Sequence, residues 1–220
     1  MKETVKQKRS YSSARRAEQA AGTRVAVIEA AREVFMRDGW QKATIAAIAE
    51  RAGVSAETVY AGFRNKRTLL ERAITAAVRG PAPDTPLMQQ AGPRAVLEAT
   101  DQSRQLALFT SDITDILERV APMMAVLRTA AETEPELAAH YARLHRGRRE
   151  NFERVVDALL RNGPLRLDRE TAVASIARLT SPEVFMLVPR VEGASPKQHA
   201  HWLLATLTAL LLPGNASGSA

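Results

Sequence analysis

Cysteine is absent from the 220 residues, and only four histidines are present. Disulfides and thiolate metal sites are therefore excluded, which fits a reducing compartment. His140 and His145 stand five apart, and His199 and His201 stand two apart. Neither step places both rings on one helix face, so no metal site is expected. No alternating β-branched run is found, and no Gly-rich loop follows a strand, so a phosphate-loop enzyme has no scaffold here. The chain reads as a non-enzyme without a cofactor. The basic start "MKETVKQKRS" has no apolar run behind it, so it does not read as a signal peptide. The longest greasy stretch, "WLLATLTALLL", is too short to span a bilayer. A soluble, cytoplasmic protein without membrane association is expected.

What is present is an uneven charge. Residues 1–78 hold 15 Lys and Arg against 8 Asp and Glu, a surplus of seven, and residues 79–220 hold 16 of each. The first third carries the whole imbalance, which points to a polyanionic partner for that end. Hydrophobic residues make up 45% of the chain, enough to bury a core in one large domain or in a small domain plus a larger one.

The periodicity is helical throughout, and the fold class expected is all-α. Residues 1–21 are polar and basic and read as a flexible arm. A small helical domain is expected over 22–79. Val25, Ile28, Ala31 and Phe35 recur at helical spacing, and "RDGW" stops that helix at Gly39. Thr44 caps a short helix that Gly53 ends, Ser55 caps a second, and Asn65 caps a third with Leu69, Leu70, Ala73, Ile74 and Ala77 inward. The Pro/Gly-rich stretch 80–92 is the expected domain boundary. Beyond it a helical domain spans 93–212, with helices at about 93–101, 103–119, 122–133, 135–162, 168–180 and 196–212, and a short one over 182–189 behind the cap Ser181-Pro182. Residues 213–220 read as a disordered tail.

The segment Ile45–Phe63 has the ingredients of a helix-turn-helix. Ala49 is small where two helices cross, Gly53 permits a positive φ, and Val54 and Val59 plug the shared core. In such a unit the N-terminal residues of the second helix face base edges in the major groove. Val59 and Phe63 hold that helix to the body, which leaves Ala56, Glu57, Thr58, Tyr60 and Ala61 outward, behind Ser55. Lys66 and Thr44 sit at helix starts, where backbone N–H groups already favour a phosphate. DNA-facing candidates are therefore Thr44, Ser55, Ala56, Glu57, Thr58, Tyr60, Ala61 and Lys66.

The stretch "ATIAAIAERAGVSAETVYAGFRNKRTLLERAI" resembles the DNA-binding segment of TetR/AcrR-type transcriptional regulators, from about Thr23 to Ile74. Thr44, Ile48, Ala49, Ala52-Gly53-Val54-Ser55, Thr58-Val59-Tyr60, Phe63, Lys66 and Leu69-Leu70 carry the resemblance. It implies an all-helical homodimer with an N-terminal reader of palindromic double-stranded DNA and a C-terminal ligand and dimerisation domain. It also implies phosphate contacts from Thr44, Tyr60 and Lys66, base contacts near Ala56, Glu57, Thr58 and Ala61, and repression rather than activation. Gly62 departs from the pattern, since many members carry a large side chain there.

By the same resemblance the last two long helices would pair with those of a second subunit, and Trp202, Leu203, Leu207, Leu210 and Leu211 are the interface candidates. A pocket for a small-molecule effector would lie among helices 93–162, with Phe109, Ile113, Met123, Met124, Leu127 and Tyr141 as candidate walls and Asp112, Asp115 and Arg128 as candidate polar partners. "RLHRGRRENFER" reads as a solvated face. The rival reading is a DNA-binding structural protein without a ligand.

Overall fold

The computed structural model describes residues 3–213, and among them every regular element is a helix. The expected tail lies, from residue 214 on, outside the described residues. The helices are α1 (Glu3–Lys42), α2 (Ile45–Ala52), α3 (Ala56–Phe63), α4 (Lys66–Arg79), α5 (Ala91–Glu98), α6 (Gln102–Ala131), α7 (Pro135–Arg161), α8 (Arg169–Leu179), α9 (Pro182–Leu187) and α10 (Pro196–Leu211). A 3-10 turn covers Leu87–Gln89, and a π-helical turn covers Val188–Glu192. The chain divides into two compact units between Ile74 and Thr75, inside α4.

In the first unit α1 is longer than expected. The backbone of residues 3–21, read above as an arm, is helical. Its Ala, Glu, Gln, Lys and Arg content favours helix. The buried face of α1 is Val27, Ala30, Ala31, Val34 and Phe35, whereas Val25 is 65% exposed. Of the expected face Ala31 and Phe35 are fully buried, Ile28 is half-buried and Val25 is not inward. Gly39 takes φ 69° and breaks the helical path within α1. Trp40 follows it, buried, with its ring stacked on Phe35 at 6.0 Å. The inner face of α4 is as expected: Leu69, Leu70, Ala73 and Ile74 are fully buried.

In the second unit the stretch 80–92 is not a free connection. The Gln90 side-chain amide donates to the carbonyls of Arg79, Ala82 and Thr85 at 3.0, 3.2 and 3.1 Å, which ties the segment to the end of α4. The helices expected at 103–119 and 122–133 are one helix, because α6 (Gln102–Ala131) runs through Pro122. Proline in a helix interior costs about 3 kcal/mol. Burial of Ala121, Met123, Met124 and Leu127 around it offsets that cost.

The core of this unit gathers Phe109, Ile113 and Leu117 of α6, Phe152, Val156 and Leu159 of α7, Val173 and Ile176 of α8, Phe185 of α9 and Leu203, Leu207 and Leu211 of α10. This corrects the interface expectation. Leu203, Leu207 and Leu211 are fully buried inside their own chain, and Leu210 packs partly against the same core. Trp202 alone of that set is exposed, at 46%. The spacing of 203, 207 and 211 reports burial but not what covers the face. Leu207→Ala should therefore lower stability by about 2–5 kcal/mol, read as a denaturant midpoint shift by circular dichroism.

Candidate nucleic-acid interface and small-molecule cavity

The reader is made of two eight-residue helices held by local caps. The Thr44 hydroxyl accepts from the Ala47 N–H at 3.1 Å. Gly53, at φ 67°, closes α2 in the left-handed region, and the Val54 N–H returns to the Ala49 carbonyl at 3.0 Å. Ser55 Oγ accepts from the Thr58 N–H at 3.3 Å, and Asn65 Oδ1 accepts from the Thr68 N–H at 2.8 Å. All three sequence-read caps are in place. Ile48, Ala49, Val59 and Phe63 are buried. Thr44, Ser55, Glu57, Thr58, Tyr60 and Ala61 are exposed, with Ala56 half-buried beside them.

Two of these residues are set up electrostatically. The Glu57 carboxylate is held below its usual range by its own backbone N–H and by the Ser55 hydroxyl. The Lys66 ammonium, expected to point outward, donates inward to the carbonyls of Trp40 and Ala43 at 2.8 and 3.1 Å, with its Nζ 4.2 Å from the Trp40 ring centre. Lys66 thus pins the end of α1 to the start of α4. Arg51 pairs with Glu33 across α2 and α1.

The second unit contains a cavity of about 440 Å³. Phe109, Ile113 and Met124 line it, as expected. Met123 and Leu127 do not: both are fully buried elsewhere on α6. Nor does Tyr141, whose hydroxyl donates to Glu183 at 2.6 Å and whose ring leans on His145. Walls missed by sequence reading come from Leu87 and Met88 in the supposed linker, Val78 and Arg79 of α4, and Leu144, Arg148, Phe152 and Val155 of α7. The last four recur at steps of 4, 4 and 3, a buried stripe running through the segment read as solvated. Arg148 is the reason that reading failed. Its guanidinium lies 5.2 Å from the Phe152 ring centre and donates to the Thr180 carbonyl at 2.7 Å. Of the polar candidates, Asp112 lines the cavity, Arg128 lines a smaller one beside α9, and Asp115 is exposed. Burial and the neighbouring Asp115 push the Asp112 carboxyl up to about 6, against a weaker pull from Arg119.

Residues 27–73 match the family model described as "Bacterial regulatory proteins, tetR family", a span that includes both short helices and their caps. Those residues are a TetR-family segment. An HTH-type transcriptional regulator, YdeS of Bacillus subtilis strain 168, is 29% identical over 157 residues, covering 69% of this chain and 73% of that protein. Solved TetR-like folds superpose on most of the chain. NalD, the secondary repressor of the MexAB-OprM multidrug efflux pump of Pseudomonas aeruginosa, matches at TM-score 0.65 and 23% identity, covering 90% of this chain and 99% of its own. A transcriptional regulator of Saccharomonospora viridis in complex with choline matches at TM-score 0.68 and 15% identity, covering 88% and 99%. FadR of Bacillus subtilis in complex with stearoyl-CoA matches at 0.65 and 21%, covering 83% and 96%. These relatives are regulators, and at such identities the solved structures speak to the fold. Among the described residues no helix is long and apolar enough to cross a membrane.

The raised Asp112 value has a consequence for stability. Between about pH 4 and pH 6 Asp112 keeps its proton in the folded chain and loses it in the unfolded one, so the contribution of this one group to stability falls as pH rises through that window. Asp112→Asn should be more stable than wild type at neutral pH by roughly 1 kcal/mol, after allowing for solvent screening. Urea unfolding at several pH values should show the difference vanish below about pH 4.

Proposed function

We propose that the protein is a dimeric repressor that binds a two-fold DNA operator in the cytoplasm and is retuned by a small molecule. The observation that carries this is the outer face of α3. Ser55, Ala56, Glu57, Thr58, Tyr60 and Ala61 stand outward at the start of a helix whose inner side, Val59 and Phe63, is buried. That is the arrangement needed to present short side chains to base edges. Thr44 and Tyr60 flank it as phosphate contacts, and Lys66 serves the surface by holding the two helix ends that frame it. The basic surplus of residues 1–78 supports the same partner.

Repression rests on likeness to NalD, which is a repressor. Response to a ligand rests on the cavity, and the neighbours solved with stearoyl-CoA and with choline lend support. The last turn of α4 contributes Thr75, Val78 and Arg79 to the cavity wall. A ligand there changes DNA affinity only by its difference in affinity between the free and DNA-bound forms. A ligand-free structural binder would have no use for such a space.

Selection of bound sequences from random duplexes should return a two-fold site. Glu57→Ala should shift the preferred base at one position of each half-site, because a carboxylate accepts from cytosine N4, with a discrimination change of about 1–3 kcal/mol. Affinity should fall with salt at a slope of about −0.9 per phosphate contact. Selection that returns no two-fold site overturns the reader.

The dimer is proposed on the outer side of α10, around Trp202. Ala205 and Ala209 lie exposed one and two turns on, small enough for another helix to approach. Trp202→Asp should yield a helical monomer with greatly weakened operator binding, checked by sedimentation and circular dichroism. A variant that remains dimeric moves the interface elsewhere.

A further inference from the structure

We propose that the cavity of the second unit takes an organic cation, an ammonium group on an apolar body, with Asp112 as its counter-ion. The inference rests on the reading of this cavity as the effector site. Asp112 lies on α6 between Phe109 and Ile116, and all three line the space. A buried carboxylate is costly unless a donor or a cation meets it. Among the described residues the Asp112 carboxylate accepts no hydrogen bond. The attraction it feels comes from Arg119, and that side chain sends its Nε to the Ala77 carbonyl at 3.2 Å.

The place for this carboxylate is made by a glycine. A Cβ added at Gly92 of α5 would lie 2.0 Å from Asp112 Oδ1. Gly92 does not have the left-handed backbone that would otherwise call for glycine, and glycine within a helix costs roughly 0.5–1 kcal/mol against alanine. Room for the Asp112 carboxylate is what that residue provides.

The other charges on the wall do not compete for an anion on equal terms. Arg79 donates to the Pro83 carbonyl at 2.7 Å, and Arg148 is spent on Thr180, on its carbonyl and its hydroxyl. Arg143 and Glu150 are exposed. The remaining walls are apolar and include the edge-to-face pair Phe109 and Phe152, ring centres 5.9 Å apart, which suits the hydrocarbon body of a lipophilic cation. The volume lies in the range of small-molecule sites, about 300–1,000 Å³.

The test uses three probes with one tail and three head charges: octyltrimethylammonium, octanol and octanoate. Each is titrated calorimetrically into the full-length protein, with operator affinity measured in parallel. The cation should bind at least about ten-fold more tightly than either of the others, the scale of one charge-assisted contact. Asp112→Asn should collapse the ratio of cation to octanol affinity. Gly92→Ala should do the same by displacing the carboxylate, while α5 keeps its helix. Octanol or octanoate binding as well as the cation, or no probe binding, overturns the proposal, as does an unaltered ratio in Asp112→Asn. The two readings separate in the parallel measurement. Asp112-dependent cation binding that leaves operator affinity unchanged upholds the counter-ion and removes the effector role. A shift of operator affinity by octanoate upholds the effector site and removes the counter-ion.

Discussion

Every helix leaves about four N–H groups at its start and four carbonyls at its end without partners in the helix. In α2 and α3, with eight residues each, that is most of the backbone. Isolated helices of this length do not persist in water. The reader is held by the packing of Ile48, Ala49, Val59 and Phe63, and Thr44, Ser55 and Asn65 satisfy N-terminal donors while Gly53 turns the chain so that carbonyls at the end of α2 are met. The same requirement gathers hydroxyls at the helix starts, where the dipole is positive. A surface suited to phosphates and bases is thus a by-product of holding two short helices together. The polar residues packed among the apolar plugs of this segment answer to both demands.

The two units meet the end-group requirement over different distances. In the first, N-cap and donor are three residues apart, and Lys66 reaches back to the carbonyls of Trp40 and Ala43 at the end of α1. In the second, side chains from remote helices also cover the C-terminal carbonyls. Arg119 reaches Ala77 near the end of α4, Arg161 reaches Leu97 in α5, Arg148 reaches Thr180 after α8, and Arg166 reaches Ala209 in α10. Asn162 and Gln102 tie further turns, on the carbonyls of Ala99, Leu159 and Gly163. Cations near carbonyl ends are also favoured by the dipole. The larger unit can hold as many basic as acidic residues and still direct part of its arginine inward.

This difference in range explains what the sequence revealed. The caps, the turn at Gly53, the plugs Val59 and Phe63 and the exposed face of α3 were all legible, because each depends on neighbours within a few residues. The all-helical class was legible for the same reason. In α1 Ala31 and Phe35 were legible as inward but Val25 was misplaced, since Val25 and Val27 are alike in character and only packing decides between them. Pro122 misled because a local penalty was outweighed by burial on either side. Lys66 misled because its acceptors are 26 and 23 residues upstream. Of the six expected walls, Phe109, Ile113 and Met124 line the cavity. The segment 80–90 and the α7 stripe were missed because an amide and a guanidinium, polar in composition, are here structural clasps.

The leucines of α10 carry the same lesson one step further. Burial and partnership cannot be told apart from hydropathy when both use the same side chains. Leu203, Leu207 and Leu211 are consumed by the chain's own core, so the outer side of α10 has little large apolar surface besides Trp202. His199, between Phe185 and Trp202, has both ring nitrogens buried without hydrogen-bond partners among the described residues, and burial lowers its pKa, which favours the neutral ring. Trp202 is therefore backed by an uncharged cluster of rings, tilted on His199, which meets Phe185 edge to face. A large aromatic held on such a base loses little freedom when a second surface covers it, whereas a mobile leucine loses more. Its exposure is the feature of α10 that internal packing does not account for, and it lies beside the small residues that would let another helix come close.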